Sequence, residues 1–220
     1  MNEEQREFWS SVAQKYDRVV DLQIGGRTRP LLRDRLEKEQ LLGNLVEFGC
    51  GTGFFTSVLE RKAATVIATD LSPAMLALAR ERVNAENVTF QQQDCQLTSF
   101  ADGSFDSAFL GLVIHFTEPR ETLREMHRIV RAGGTLIIVN VDLQALGRLD
   151  RLRAFARMLF QGAVGYRTRP PKQFGRNMLT EKDLCELLGE TGFEMVGSEV
   201  VKDTSRSSNI PVEYVKARKV

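Results

Sequence analysis

The stretch NLVEFGCGTGFFT, residues 44–56, decides the fold. A short apolar run from Asn44 to Phe48 gives way to glycines at alternate positions, Gly49, Gly51 and Gly53, and a helical pattern follows. Glycines between a strand and a helix let a ligand approach the main chain closely, with helix N–H groups free to donate. Glu47 stands two residues ahead of the first glycine. Its carboxylate would repel an anion and attract an ammonium or sulfonium. A phosphate-cradling P-loop needs a lysine after its glycines, and none stands there. A dinucleotide turn wants G-x-G-x-x-G, but the sixth position counted from Gly49 is Phe54, whose ring would obstruct a pyrophosphate.

Outward from this loop, short β-rich runs alternate with longer helical ones. TVIATD (65–70) reads as a second strand, and Ser72-Pro73 as an N-cap with proline at the first helical position. NVTFQQ (87–92) and SFDSAFLGL (104–112) are the third and fourth strands. EPRETLREMHRIV (118–130) is a helix with Leu123, Met126, Ile129 and Val130 on one face. It is expected to stop at Gly133-Gly134, before the buried fifth strand TLIIVNV (135–141). The loop helix is expected over about residues 53–61, and two helical segments at about 3–18 and 28–42 come first. After an interruption at 142–178, Thr180 caps a helix closed by Gly192. FEMVGSEVVKD (193–203) and IPVEYVKARKV (210–220) lack a helix between them and should pair as a hairpin, setting one reversed strand at the end of a parallel sheet.

Composition narrows the class. Hydrophobic residues make up 42% of the 220 and charged residues 27%, the balance of a globular protein, and one domain is expected. The net charge of +1 argues against a nucleic-acid binder, so DNA is not an expected partner and RNA is disfavoured. Cys50, Cys95 and Cys185 stand far apart with only His115 and His127 besides, so neither a metal site nor a disulfide framework is expected. The opening MNEEQREFW is acidic and polar, unlike a secretory signal, and a cytoplasmic location is expected.

Asp70 ends the second strand about 20 residues beyond the first glycine, where an acid takes ribose hydroxyls. Asp94, in QQDC after the third strand, stands at the same sheet edge, within reach of an adenine amino group. With Glu47 these acids form a row suited to adenosine beside a cationic group. The chain at this point resembles the class I S-adenosylmethionine-dependent methyltransferases, in the group of ubiquinone/menaquinone and small-molecule methyltransferases. Glu47 to Gly53 is similar to that family's E/D-x-G-x-G-x-G loop, FDSAFLGLVIHF (105–116) to its fourth strand and following loop, and EMHRIVRAGGTLII (125–138) to its Gly-Gly approach to the fifth strand. FWSSVAQKYDRV (8–19) resembles the segment that folds over the cofactor. The resemblance covers roughly the first 140 residues.

It implies an α/β, Rossmann-like seven-stranded, mostly parallel sheet with an antiparallel last strand and helices on both faces. The expected organisation is a helical cap (1–42), a cofactor-binding core (43–141), a basic insert (142–178) and a last helix with hairpin (179–220). S-adenosylmethionine is the implied cofactor. Its candidate contacts are Tyr16, Arg29 (for the methionine carboxylate), Glu47, Gly49, Cys50, Gly51, Gly53, Asp70, Leu71, Met75, Asp94, Cys95 and Leu112. Cys50 is read as a small side chain that fits the loop and not as a nucleophile. The implied activity is methyl transfer to an O, N, S or C atom of a small molecule; an RNA or protein methyltransferase and a non-catalytic cofactor-binding protein are the alternatives.

Catalytic residues are harder to read, because displacement at a sulfonium gains most from orientation, about 7–11 kcal/mol, and needs no fixed triad. His115 is the candidate base; a packing histidine is the competing reading. The 142–178 insert carries eight basic against two acidic residues, a net of +6. Leu149, Leu152, Phe155, Ala156 and Leu159 recur there at helical spacing, so 146–160 reads as a basic amphipathic helix. It is expected to serve as a substrate lid, with peripheral membrane or lipophilic-substrate contact through 148–160, RNA contact or a dimer interface as the alternatives, and the protein is expected to be a monomer or homodimer.

Overall fold

The computed structural model of the chain describes residues 3–165 and 177–220. The apolar runs become strands β1 (Asn44–Phe48), β2 (Thr65–Asp70), β3 (Val88–Gln92), β4 (Phe105–Gly111), β5 (Val130–Val141), β6 (Phe193–Val201) and β7 (Val212–Lys219). They form one sheet in the order β3-β2-β1-β4-β5-β7-β6. β1 to β5 run parallel, and β7 pairs antiparallel with both β5 and β6. The mostly parallel, Rossmann-like architecture with its reversed last strand is therefore the one expected. The reversed strand lies one place in from the sheet edge, not at it. Burial explains the order: β7 hides most of its side chains and takes the inner position, whereas β6 is largely exposed and makes the edge.

The helices are α1 (Glu3–Val12), α2 (Tyr16–Ile24), α3 (Thr28–Glu37), α4 (Thr56–Lys62), α5 (Pro73–Arg82), α6 (Pro119–Ile129), α7 (Arg148–Gly165) and α8 (Glu181–Glu190), with 3-10 turns at Ala13–Lys15 and Ile114–Phe116. Ser72 caps α5 by accepting from the Met75 N–H at 3.2 Å, and Thr180 forms a capping box with Asp183 on α8. α4 starts at Thr56, later than expected, because Gly49, Gly51 and Gly53 all hold positive φ and keep the chain out of a helix. α6 stops at Ile129, four residues before the glycine pair, and β5 begins at once. The glycines serve a bulge instead: pairing jumps from Phe105–Val130 to Ser107–Thr135. A Cβ on Gly134 would sit 2.8 Å from the Asp106 carbonyl oxygen, so the strands close there only around glycine.

Successive strand residues point to opposite faces, so Leu45 and Val46 enter different cores. Leu32, Leu36, Val58, Leu59, Leu76 and Ala79 cover one face from α3, α4 and α5. Leu123, Met126, Ile129, Leu184 and Leu188 cover the other from α6 and α8. Because β1, β2, β3 and β4 are parallel, their carboxyl ends share one edge, which α1 and α2 overhang. The insert residues Arg167, Arg169, Lys172 and Arg176, the stretch Arg169-Pro170-Pro171, which the sequence reads as an extended connector, and the Leu159 side chain lie outside what is described.

Candidate functional site: a cleft and an apolar chamber

Above the carboxyl ends of β1, β2 and β4 lies a cleft of about 550 Å³, its open mouth included. The floor is the bare main chain of Gly49 and Gly51. A Cβ on Gly49 would come within 2.3 Å of Val113, and one on Gly51 within 3.3 Å of the Tyr16 ring. Gly53 is out of the cleft; a Cβ there would sit 3.1 Å from the Ala79 main chain of α5, so its missing side chain lets the loop pack close to that helix. Asp70, Leu71, Met75 and Cys95 form one wall, and Tyr16 and Leu112 the opposite one. Cys50 is buried under the loop, and burial holds its thiol well above the usual range. Burial likewise pushes the Cys95 thiol up to about 12.

The acids behave differently from one another. Asp70 accepts from the Gly51 N–H through Oδ2 and from the Ser72 N–H through Oδ1, both at 2.9 Å. Burial raises its pKa to about 6 against the pull of those bonds. Glu47 is 1% exposed; Oε2 accepts from the Thr56 hydroxyl at 2.6 Å, and Oε1 has no partner. Burial, reinforced by the charge of Asp70, raises it to about 8. Glu47 thus lies beneath the loop, not on the cleft wall. Asp94 turns to its own chain, accepting from the Gln96 N–H at 3.0 Å, while its neighbours Gln93 and Cys95 line the cleft.

Arg29 is 5% exposed and fully engaged. It donates to Asp21 at 2.7 and 2.8 Å and to Asp17 at 2.8 Å, and stacks 4.4 Å over the Phe54 ring. These bonds fix the cap rather than leave the guanidinium open for a carboxylate. Asp17 also accepts from Thr52, inside the glycine loop, at 2.8 Å and from Arg82 of α5 at 2.6 Å. Burial alone would raise the Asp17 carboxyl, but Arg82, Arg29 and Thr52 outweigh it and hold it below the ordinary range. One carboxylate therefore ties α2 to the loop and to α5.

A second space of about 480 Å³ adjoins the cleft and shares Trp9, Tyr16, Leu112 and Phe116 with it. Val12, Val19, Val20, Ile24 and Val141 make it apolar, with His115 and Gln23 as polar members. His115 is 4% exposed, its ring lies 4.0 Å from that of Phe116, and Nδ1 has no hydrogen-bond partner. Burial lowers its pKa to about 4, so the imidazole is neutral at physiological pH. Leu112, where cleft and chamber meet, holds φ +62, alone among the described non-glycine residues. A branched residue there costs on the order of 1–2 kcal/mol, and its N–H bond to the Val139 carbonyl at 2.9 Å helps retain it.

With this geometry in view, the comparisons with known proteins are specific. A family model described as a methyltransferase domain matches residues 46–138. A ubiquinone/menaquinone biosynthesis C-methyltransferase UbiE of Geotalea uraniireducens (strain Rf4) is 31% identical over 162 residues, covering 68% of this chain and 68% of that protein. The chain is a class I S-adenosylmethionine-dependent methyltransferase. This methyltransferase is also 27% identical over 203 residues to a malonyl-[acyl-carrier protein] O-methyltransferase of Paenibacillus sp. (strain JDR-2), covering 87% of this chain and 71% of that one. A solved methyltransferase from Aquifex aeolicus superposes with a TM-score of 0.64 at 19% identity, over 92% of this chain and 97% of that chain, which shows the shared fold.

Sequence reasoning did not single out Trp9, Gln93, Val113, Phe116 or Thr117, which all line the methyltransferase's cleft. Nor did it find the Asp17 clamp or the chamber. The spacing of Trp9 and Tyr16, seven residues apart on the cap, was the available signal for a shared helical face. Substituting Asp17→Asn should free α2 from the glycine loop and speed cofactor release several-fold to roughly tenfold, by loss of charge-assisted bonds. Trp9, the single tryptophan, reports on this directly by stopped-flow fluorescence. Identical release rates in Asp17→Asn and the parent protein would show that the clamp does not govern the cap.

Proposed function

We infer that this methyltransferase carries the methyl group of S-adenosylmethionine to a small-molecule acceptor that enters the apolar chamber. The observation that carries this reading is the common wall: Trp9, Tyr16, Leu112 and Phe116 face both spaces, so ligands in the two would meet there. In this reading the cleft holds the cofactor. Gly49 and Gly51 admit it to the main chain, and Asp70, whose oxygens keep lone pairs beyond their backbone bonds, takes the ribose hydroxyls. Leu71 and Met75 pack against the adenosine, with Gln93 and Cys95 alongside.

When bound, S-adenosylmethionine supplies an electrophilic methyl group on a sulfonium. The chain supplies orientation, water exclusion and a proton acceptor. An acceptor O–H or N–H becomes strongly acidic as it is methylated, so even an imidazole with a pKa of about 4 takes the proton. Among the described residues lining the chamber none carries a charge, which favours an uncharged small molecule over a phosphate backbone.

The test uses methyl-labelled cofactor with the low-molecular-mass, RNA and protein fractions of a cell extract. Label should enter the small-molecule fraction. His115→Ala should cut that incorporation by roughly 10²–10⁴-fold, and Val20→Trp should block it by filling the chamber, with cofactor affinity retained in both. At saturating cofactor the His115-dependent rate should stay flat from neutral pH down to about 5 and fall as the ring protonates near 4. Label confined to RNA or protein, or turnover indifferent to Val20→Trp, would remove the small-molecule reading.

A further inference from the structure

The apolar stripe of α7, which the sequence marks as one side of a basic amphipathic helix, faces solvent over its described residues. Leu149 is 61% exposed, Leu152 65% and Phe155 56%, and Ala156 beside them is exposed as well. At about 100° per residue these side chains share one face of the helix. The opposite face carries the packing: Ala154 is fully buried, and Arg157 donates to the Gln23 and Ser208 carbonyl oxygens, each at 2.8 Å. Asp150 on the same face accepts from Ser207 at 2.9 Å. Over residues 148–157 the helix is thus anchored through Ala154, Asp150 and Arg157 and presents Leu149, Leu152 and Phe155 outward, the reverse of an ordinary surface helix.

Exposed apolar residues at helical spacing need a partner, and the charge pattern selects it. Arg148 and Arg151 border the stripe on one side and Arg153 on the other, all exposed. Over the described residues 142–157, four arginines stand against Asp142 and Asp150. A second copy docking through the same stripe would set arginines against arginines. A nucleic acid offers nothing for Leu149, Leu152 and Phe155. An anionic bilayer satisfies both features: acyl chains accept the apolar stripe, and headgroups meet its arginine borders. We propose that α7 is an interfacial helix that seats the protein on anionic phospholipid through Leu149, Leu152 and Phe155. The placement is apt, because α7 holds on to α2, and α2 supplies Val19, Val20, Gln23 and Ile24 of the chamber.

The test is co-sedimentation of the full chain with vesicles of phosphatidylcholine alone or mixed with phosphatidylglycerol, across a salt series. Binding is expected to the mixed vesicles, to weaken with salt, and to fall roughly tenfold or more in Leu152→Asp and Phe155→Asp. Both variants should keep the parent melting temperature, since the side chains are exposed. Three outcomes would overturn the proposal: no vesicle binding; binding that both variants retain; or a dimer, seen by light scattering, that Phe155→Asp dissociates. A lowered melting temperature in both variants would overturn it too, because the stripe would then be covered by the chain itself.

Discussion

Replacing Asp70 with alanine is expected to weaken S-adenosylmethionine binding ten- to a hundredfold, as read by calorimetry. Hydrogen bonds to a charged group contribute about 1.5–3 kcal/mol, which is one to two powers of ten in affinity. Two losses combine at this position. The carboxylate lines the cleft where the proposed reading puts the ribose, and it also holds the Gly51 and Ser72 N–H groups at 2.9 Å, so its removal should loosen the glycine loop itself. Asp70→Asn separates them: an amide keeps one acceptor for the backbone but only half of the acceptor capacity. It should fall between the parent protein and Asp70→Ala.

The pH dependence adds an independent check on Asp70. Its pKa is raised to about 6, so the acceptor form is complete above that value and lost as pH falls through it. Affinity in the parent protein should decline from pH 7 to 5, and Asp70→Ala should show a flatter profile. Equal affinities in the parent and Asp70→Ala would take Asp70 out of the cofactor site.

Glu47→Gln should stabilise the cofactor-free protein at pH 8 and leave little or no gain at pH 5. The buried carboxyl has a folded-state value of about 8 against an ordinary 4.5. An acid raised in this way stays protonated in the folded chain while the unfolded chain ionises. Stability is therefore whole below about 4.5, falls as pH climbs to about 8, and is level beyond. The span amounts to several kcal/mol at about 1.4 kcal/mol per pH unit. Glutamine removes the ionisation and keeps an acceptor for Thr56, at the expense of a buried N–H where Oε1 now lacks a partner.

A net gain of about 2 kcal/mol at pH 8 would raise the melting temperature by roughly 4–8 °C in a chain of this size. Some slope should survive in the variant, because Asp70 titrates in the same window. Thermal melts from pH 5 to 8 with the same profile in Glu47→Gln and the parent would assign the titration elsewhere. The same substitution should weaken cofactor binding only above about pH 8, where the parent carboxyl is ionised and attracts the cation. A stable protein that binds less would mark Glu47 as an acid kept for its ligand.

Much of the site was legible because the residues that make it are neighbours in sequence. Gly49 and Gly51 follow the end of β1 and Asp70 ends β2, and parallel strands bring their ends to one edge whatever the side chains elsewhere do. The roles of Asp94 and Arg29 were less legible for the converse reason. Asp94 bonds to Gln96 two residues on, and Arg29 meets Asp17 and Asp21 across a helix turn and a loop. Local partners compete for a charged side chain, and a spacing rule does not show which of them is taken. The glycine pair at 133–134 was mistaken for a helix stop because a stop and a bulge ask for the same residue.

The sequence by itself determined the strand–loop–helix unit at 44–62, the parallel direction of the strands that follow, and the acids at their ends. These rest on periodicity and backbone sterics, which act over a few residues. Tertiary structure alone decided three things: that β7 enters between β5 and β6, that Asp17 clamps α2 to Thr52 and Arg82, and that Leu149, Leu152 and Phe155 face outward. Each depends on which surface reaches a partner first when several are available. That is settled by the sum of burial over the whole chain, and no short window of residues contains it.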